Sequence, residues 1–215
     1  MYGGYAETVN SHKPADLIGD RPTLDRLRQA VQECEGCDLF RYATQGVLGE
    51  GPAKARVMFV GEQPGNEEDL EGRPFVGPAG RILAKGLAEA GIPREEVYVT
   101  NAVKHFKFEE RGKRRIHKKP SAAEVKACAP WLEAEMRLVK PEIVVCLGAT
   151  AAQALLGRDY RLTKERGTFR TRDGGPKITS TVHPSAVLRA PDEDRETMYN
   201  AFVEDLRKVE KEMRK

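Results

Sequence analysis

No apolar stretch of this chain approaches the ~20 residues that a bilayer span requires. The opening residues, MYGGYAETVNSHKPAD, lack a cationic stretch followed by an apolar core. Membrane insertion and secretion are therefore not expected, and a cytoplasmic setting is. Charge of one sign is scarce too: 36 Lys+Arg against 33 Asp+Glu leave only +3. That total is too small to announce a nucleic-acid binder. GEQPG is neither a Walker loop, since G-K-[ST] is missing, nor a G-x-G-x-x-G turn. The four cysteines include no second close pair to complete a zinc ribbon. What remains is a chain of 215 residues, 40% of them hydrophobic. That suits one α/β domain and excludes global disorder.

The charge is unevenly placed. Residues 104–119 read KHFKFEERGKRRIHKK, with eight Lys/Arg against Glu109 and Glu110, so this segment carries +6 and the remainder −3. A basic segment on an acidic body is the electrostatic footprint of a protein that meets a phosphate backbone. Lys104, Lys113, Arg114, Arg115 and Lys118 are the candidate DNA contacts. Phe106, Phe108 and Ile116 interleave with them, and apolar groups there either pack the loop down or touch bases. A solvated surface loop explains the same run of charges.

Residues 1–21 show no periodicity and read as a flexible lead-in to a domain over 22–215. Leu24, Leu27 and Val31 recur at helical spacing and lead to Cys34 and Cys37. Short apolar runs at 56–61, 96–101, 143–147 and 177–182 predict four buried strands. Between them lie helical patterns: Ile82, Leu83, Leu87 and Ala90; then Val125, Leu132, Met136 and Val139 behind a Ser121–Glu124 capping box. GATAAQALLG follows the third strand, and Phe202, Leu206, Val209 and Met213 mark a last helix. Pro130 predicts a kink or break in the second helical pattern. Strand–helix alternation predicts an α/β fold with a central four-stranded parallel sheet covered on both faces.

Cys34 and Cys37 form C-x-x-C; Cys128 and Cys146 stand apart. The pair closes a helix instead of opening one, which disfavours thioredoxin-like redox work. Four thiolates from separated segments suit an iron–sulfur cluster. Cys146, inside the apolar strand EIVVCLG, is equally well explained as a core residue.

Parallel sheets bind ligands beyond the carboxyl ends of their strands. Three predicted strands end in polar clusters there: Glu62-Gln63 in GEQPG, Thr100-Asn101, and His183-Pro184-Ser185. Phe75 lies in the loop after the first strand. Singly, these read as a turn, a helix cap and a rigid surface turn. Together they supply a carboxylate, two amides, an imidazole and an aromatic ring, which is what a planar polar base needs.

GEQPG, GRPFVGPAGR, VTNAVKHFKF, KRRIH and TVHPS, with the four cysteines, resemble the uracil-DNA glycosylase superfamily. Family 4, and within it the UdgX-type branch, is the nearest pattern. GEQPG in place of GEAPG, and the KRRIH segment, carry the branch assignment. The resemblance implies a uracil-DNA glycosylase-like fold, a 4Fe–4S cluster on Cys34, Cys37, Cys128 and Cys146, and a base taken out of the DNA stack into a pocket. It implies that Phe75 stacks on uracil, Asn101 reads its O4 and N3–H edge, and His183 donates to O2 as charge grows there. Ser185 supports phosphate or His183, and Glu68 crowds C5 against thymine's methyl group. In the UdgX-type branch the His of KRRIH, here His117, attacks C1′ and stays attached. That attack needs a neutral imidazole, kept so by Arg114, Arg115, Lys118 and Lys119. Glu62 accepts a proton, orients the ring or stabilises the sugar cation, and Gln63 positions the base or a water.

The implied function is excision of uracil from single- and double-stranded DNA with covalent capture of the abasic site by a monomer. The alternatives are an ordinary multiple-turnover family-4-like glycosylase and a non-catalytic DNA-damage binder. Action would be cytoplasmic, at the nucleoid.

Overall fold

The computed structural model describes residues 12–171 and 174–215. Most of the expected lead-in lies outside those residues. Pro14–Ile18 form a short helix, α1. α2 (Leu24–Ala30) follows, its Thr23 side chain accepting from the Arg26 N–H at 3.2 Å.

The sheet has five strands instead of the expected four. β1 (Val57–Gly61), β2 (Val97–Asn101), β5 (Ile143–Leu147) and β7 (Lys177–Thr181) match the predicted runs within a residue at either end. All pair in parallel, in the order β2-β1-β5-β7. The addition is β6 (Arg170–Thr171), two exposed residues antiparallel to β7 at the edge. It carries no apolar alternation, so nothing marked it.

Period-two side-chain placement divides the strands between two cores. Val57, Phe59, Val97, Val99, Ile143, Val145 and Leu147 face α4 (Pro78–Ala90) and α9 (Asp192–Met213). Met58, Val60, Tyr98, Val144 and Cys146 face α5 (Ala122–Val139) and α6 (Ala149–Leu156). Each large aliphatic side chain sequestered this way contributes about 1.5–3 kcal/mol. A third cluster joins Leu27, Val31, Cys34, Cys128 and Trp131.

α5 starts at the expected capping box: the Glu124 N–H donates to Ser121 Oγ at 3.3 Å, and the Ser121 N–H to Glu124 Oε2 at 2.6 Å. Pro130 does not break this helix, which runs on to Val139; the carbonyl it deprives of a partner belongs to Lys126, an exposed residue. The short helices α3 (Asn66–Glu71), α7 (Leu162–Glu165) and α8 (Pro184–Arg189) complete the connections.

The basic segment is not a loop. β3 (Phe108–Arg111) and β4 (Arg114–His117) form an antiparallel hairpin, with Phe108 opposite His117. The turn passes through Gly112, whose φ of +61° suits glycine.

Candidate active site

The carboxyl ends of β1, β2 and β7 converge with β4 on a cavity of about 700 Å³, lined by Glu62, Gln63, Phe75, Asn101, His117 and His183 among others. Parallel register sets this: Gly61 pairs with Asn101, and Leu147 with Thr181, so the residues after each strand emerge at one edge. Gly61 leaves room for two of these side chains. A Cβ there would meet Asn101 Oδ1 at 2.3 Å and Phe75 Cζ at 2.9 Å. Phe75 has φ +57°, a left-handed conformation uncommon for an aromatic residue. Close packing holds it: a Cβ at Gly80 would lie 1.7 Å from the Phe75 carbonyl oxygen.

His183 is held as one tautomer. Its Nδ1 accepts from the Ser185 N–H at 3.2 Å and lies 2.8 Å from Ser185 Oγ. The proton therefore resides on Nε2. Arg189 Nη1 donates to Ser185 Oγ at 2.9 Å. Burial pushes the pKa of His183 down to about 4, and the charges of Arg189 and His117 add to this. His183 is thus a neutral donor at pH 7. Ser185 holds its ring, one of the two roles anticipated for it.

Three anchors fix the hairpin. Gln63 Nε2 donates to the carbonyls of Lys107 and Lys118 at 3.0 and 3.1 Å, and its Oε1 accepts from the Lys107 N–H at 3.2 Å. Arg115 Nη1 donates to buried Asp69 at 2.6 Å, and its guanidinium covers Phe106 and Phe108. Lys107 pairs with Glu124 at 2.9 Å. The hairpin sets His117 Nε2 3.5 Å from Glu62 Oε1, with the side chain half exposed. The pKa of His117 is lowered, chiefly by burial, with Arg189 adding and Glu62 opposing. The direction matches the expectation; the cause differs, since the four neighbouring cations do not produce it.

Several assigned roles change. Lys104 is no DNA contact: its side chain is 0% exposed. Its Nζ donates to Thr100 Oγ1 and the Asn101 carbonyl, both at 2.7 Å, and to Glu135 at 2.5 Å. Glu135 also accepts from Gly49 N–H at 2.7 Å and from Tyr98 OH at 2.9 Å. A fully partnered charge is what burial demands. Arg115 is committed to Asp69 and is a brace for the hairpin. Gln63 lines the cavity and spends its amide on the hairpin. Glu68 accepts from the Gly65 and Gly77 N–H groups, both at 3.0 Å, so it braces the loop bearing Phe75. Lys113, Arg114 and Lys118 remain exposed; Lys118 pairs with Glu109. Sequence reading passed over Thr150, whose hydroxyl donates to Glu62 Oε2. It also passed over His105, buried and pushed down to about 4. Both lie in segments singled out for other reasons, His105 in the basic run and Thr150 in the helix after the third strand.

The four-thiolate set is not assembled. Cys34, Cys37 and Cys128 share one cluster, and charge on Cys34 and Cys37 acts on Cys128, whose thiol burial pushes up to about 12. The Trp131 indole N–H donates to Cys34 Sγ and the Lys104 N–H to Cys128 Sγ, both at 3.2 Å. Such N–H···S bonds stabilise thiolates that bind metal. Cys146 lies in the other core, on β5 among Met58, Val60 and Leu132, and its raised pKa comes from burial alone. Among the described residues no three His, Cys, Asp or Glu side chains are grouped to hold a single metal ion. Three of the four cysteines thus share one cluster, and Cys146 lies in another.

An aromatic ring, an amide and a neutral imidazole thus line one cavity at the strand ends of a mostly parallel α/β sheet. The comparisons give the family. The uracil DNA glycosylase superfamily model matches residues 48–207, and the chain belongs to that superfamily. It is 40% identical to the type-4 uracil-DNA glycosylase of Thermotoga maritima over 167 residues, 77% of this chain and 83% of that protein. Against the type-4 enzyme of Sulfurisphaera tokodaii it is 33% identical over 195 residues, 87% of this chain and 83% of the relative. The type-5 uracil-DNA glycosylase of Thermus thermophilus is 33% identical over 165 residues, 67% of this chain and 71% of that protein.

Proposed function

We propose that the chain excises uracil from single- and double-stranded DNA and that His117 then captures the abasic sugar. The observation that carries this reading is a neutral imidazole, 3.5 Å from a carboxylate, lining the same cavity as Phe75, Asn101 and His183.

Uracil enters against Phe75, a flat apolar ring. Asn101 offers its amide to the O4 and N3–H edge. Cytosine inverts that pattern and would leave polar groups unpaired, at about 1–3 kcal/mol per group. Glu68 bears on C5 only by its place in the wall, since both its oxygens are engaged. As the C1′–N1 bond breaks, its electron pair leaves with the base and spreads to O2, where the His183 Nε2–H donates. The sugar becomes an oxocarbenium ion, and Glu62 stabilises that charge. A ring-nitrogen lone pair of His117 then forms the C1′–N bond. The positive charge passes to the imidazolium beside Glu62, and its remaining N–H proton is then lost through that carboxylate to solvent. An N-alkylated imidazole is a poor leaving group, so the adduct persists and each protein acts once.

Cys34, Cys37 and Cys128 would hold an iron–sulfur cluster whose chemistry here is that of a structural clip between α2 and α5. Lys113, Arg114 and Lys118 meet backbone phosphates. DNA as substrate places the work in the cytoplasm at the nucleoid, and a monomer suffices. Among the described residues no helix is long and apolar enough to cross a membrane.

A second reading, ordinary multiple-turnover excision, fits the similarity to the type-4 uracil-DNA glycosylases equally well. A denaturing gel with a uracil oligonucleotide separates the two. A heat- and SDS-stable protein–DNA band supports capture; free abasic product in molar excess over protein excludes it; no uracil release at all leaves only a DNA binder.

A further inference from the structure

Glu62 is the residue after β1, and its carbonyl accepts from the Val103 N–H at 3.0 Å, which fixes its backbone and leaves its side chain to be set by what it touches. Its two carboxylate oxygens face different partners. Oε1 is 3.5 Å from His117 Nε2, and Oε2 accepts from the Thr150 hydroxyl. Thr150 occupies the first turn of α6 and is 8% exposed. The turn that carries it is pinned on both sides: the Gly148 N–H donates to the Thr181 carbonyl at 2.9 Å, and the Ala152 N–H to the Gly148 carbonyl at 3.2 Å. A β-branched side chain on a helix has few rotamers, so its hydroxyl is aimed before substrate arrives. Glu62 itself is less constrained, with its side chain 22% exposed.

We propose that Thr150 is a positioning residue: its hydroxyl fixes the rotation of the Glu62 carboxylate so that Oε1 faces His117 and the anomeric carbon. Without that bond the carboxylate turns freely, and both its stabilisation of the sugar cation and its hold on the imidazole become intermittent. Thr150 belongs to a strand–helix junction that has no other assigned part in the reaction. The inference rests on the reading of Glu62 and His117 above.

Thr150→Val keeps the branched shape and deletes the hydroxyl; Thr150→Ser keeps the hydroxyl and deletes the methyl group. Single-turnover excision and adduct formation are measured for both variants and the parent across a range of protein concentrations, with melting temperature recorded alongside. Misplacement of a group at the reacting centre costs between about ten- and a hundred-fold. Thr150→Val is expected to slow excision at saturating protein by about that factor, with half-saturation unchanged. Thr150→Ser is expected to recover most of the rate. A Val variant that matches the parent overturns the inference. So does a folded Ser variant as slow as the Val one, because shape and not the hydroxyl would then matter. If the parent excises uracil but forms no stable band, capture by His117 fails, while the excision rates still decide the role of Thr150.

Discussion

Nε2 of His117 stands 3.5 Å from Oε1 of Glu62, and the two residues come from different elements. One follows the interior strand β1; the other ends the β3–β4 hairpin. Burial lowers the pKa of His117 from its ordinary 6.5 while Glu62 opposes the shift. The folded ring therefore stays neutral at and somewhat below pH 6.5, and it gains a proton only in more acid solution. His183 holds out further, to about 4. Capture needs His117 neutral, whereas excision needs a neutral His183. In solution more acid than the ordinary imidazole range, the adduct fraction should decline and free abasic product should rise. Adduct and abasic product on one gel across that change of pH measure it. A covalent yield that increases with acidity contradicts the assignment.

His117→Ala should abolish the covalent band while part of the excision survives, because His183, Asn101 and Phe75 are untouched. Gel and uracil-release assays run on one preparation report both. An unchanged band assigns the nucleophile elsewhere.

Gln63→Ala removes three hydrogen bonds from the hairpin base and leaves the Lys107 N–H and two carbonyls to find water. Capture should fall about tenfold, since the hairpin no longer holds His117 at one distance. Amide hydrogen exchange at 107 and 118 should accelerate. Unaltered exchange combined with slow capture would return Gln63 to the base-positioning role.

Lys104→Met strands the Glu135 charge in the core, at a cost of about 3–5 kcal/mol. A chain of this size should lose about 6–20 °C of melting temperature. The salt dependence of DNA binding should not change. Lys113→Ala and Arg114→Ala should do the reverse, each reducing the salt slope by about one with no effect on melting. A reduced slope for Lys104→Met would restore it to the DNA surface.

Much of the fold could be read directly. Apolar runs reported the four parallel strands because both faces of each are covered, and the Ser121–Glu124 box reported the start of α5. What escaped was structure decided by tertiary contact. FEER and RRIH are too polar to look like strands, yet Gln63, Asp69 and Glu124 hold them as a hairpin. Lys104 carries the same charge as its neighbours in the run and differs only in the Glu135 that awaits it from a distant helix. The site residues at the strand ends were legible through their motifs. Thr150 was not, since its role depends on where α6 begins relative to β1.

The cysteines show the same limit. Four in one chain invite one ligand set, but alternation along β5 sends Cys146 into the sheet core. Cys34→Ser and Cys128→Ser should lose iron and acid-labile sulfide, and Cys146→Ser should retain both. Loss of iron on changing Cys146 would reinstate the four-cysteine set.

The central claim is that His117, and not water, takes the anomeric carbon. Mass spectrometry of the protein after reaction with a uracil oligonucleotide, followed by protease and nuclease digestion, tests it most directly. The account predicts a peptide containing His117 heavier by the abasic sugar-phosphate fragment, with one adduct per protein. An unmodified His117 peptide beside free abasic DNA in excess over protein would contradict it.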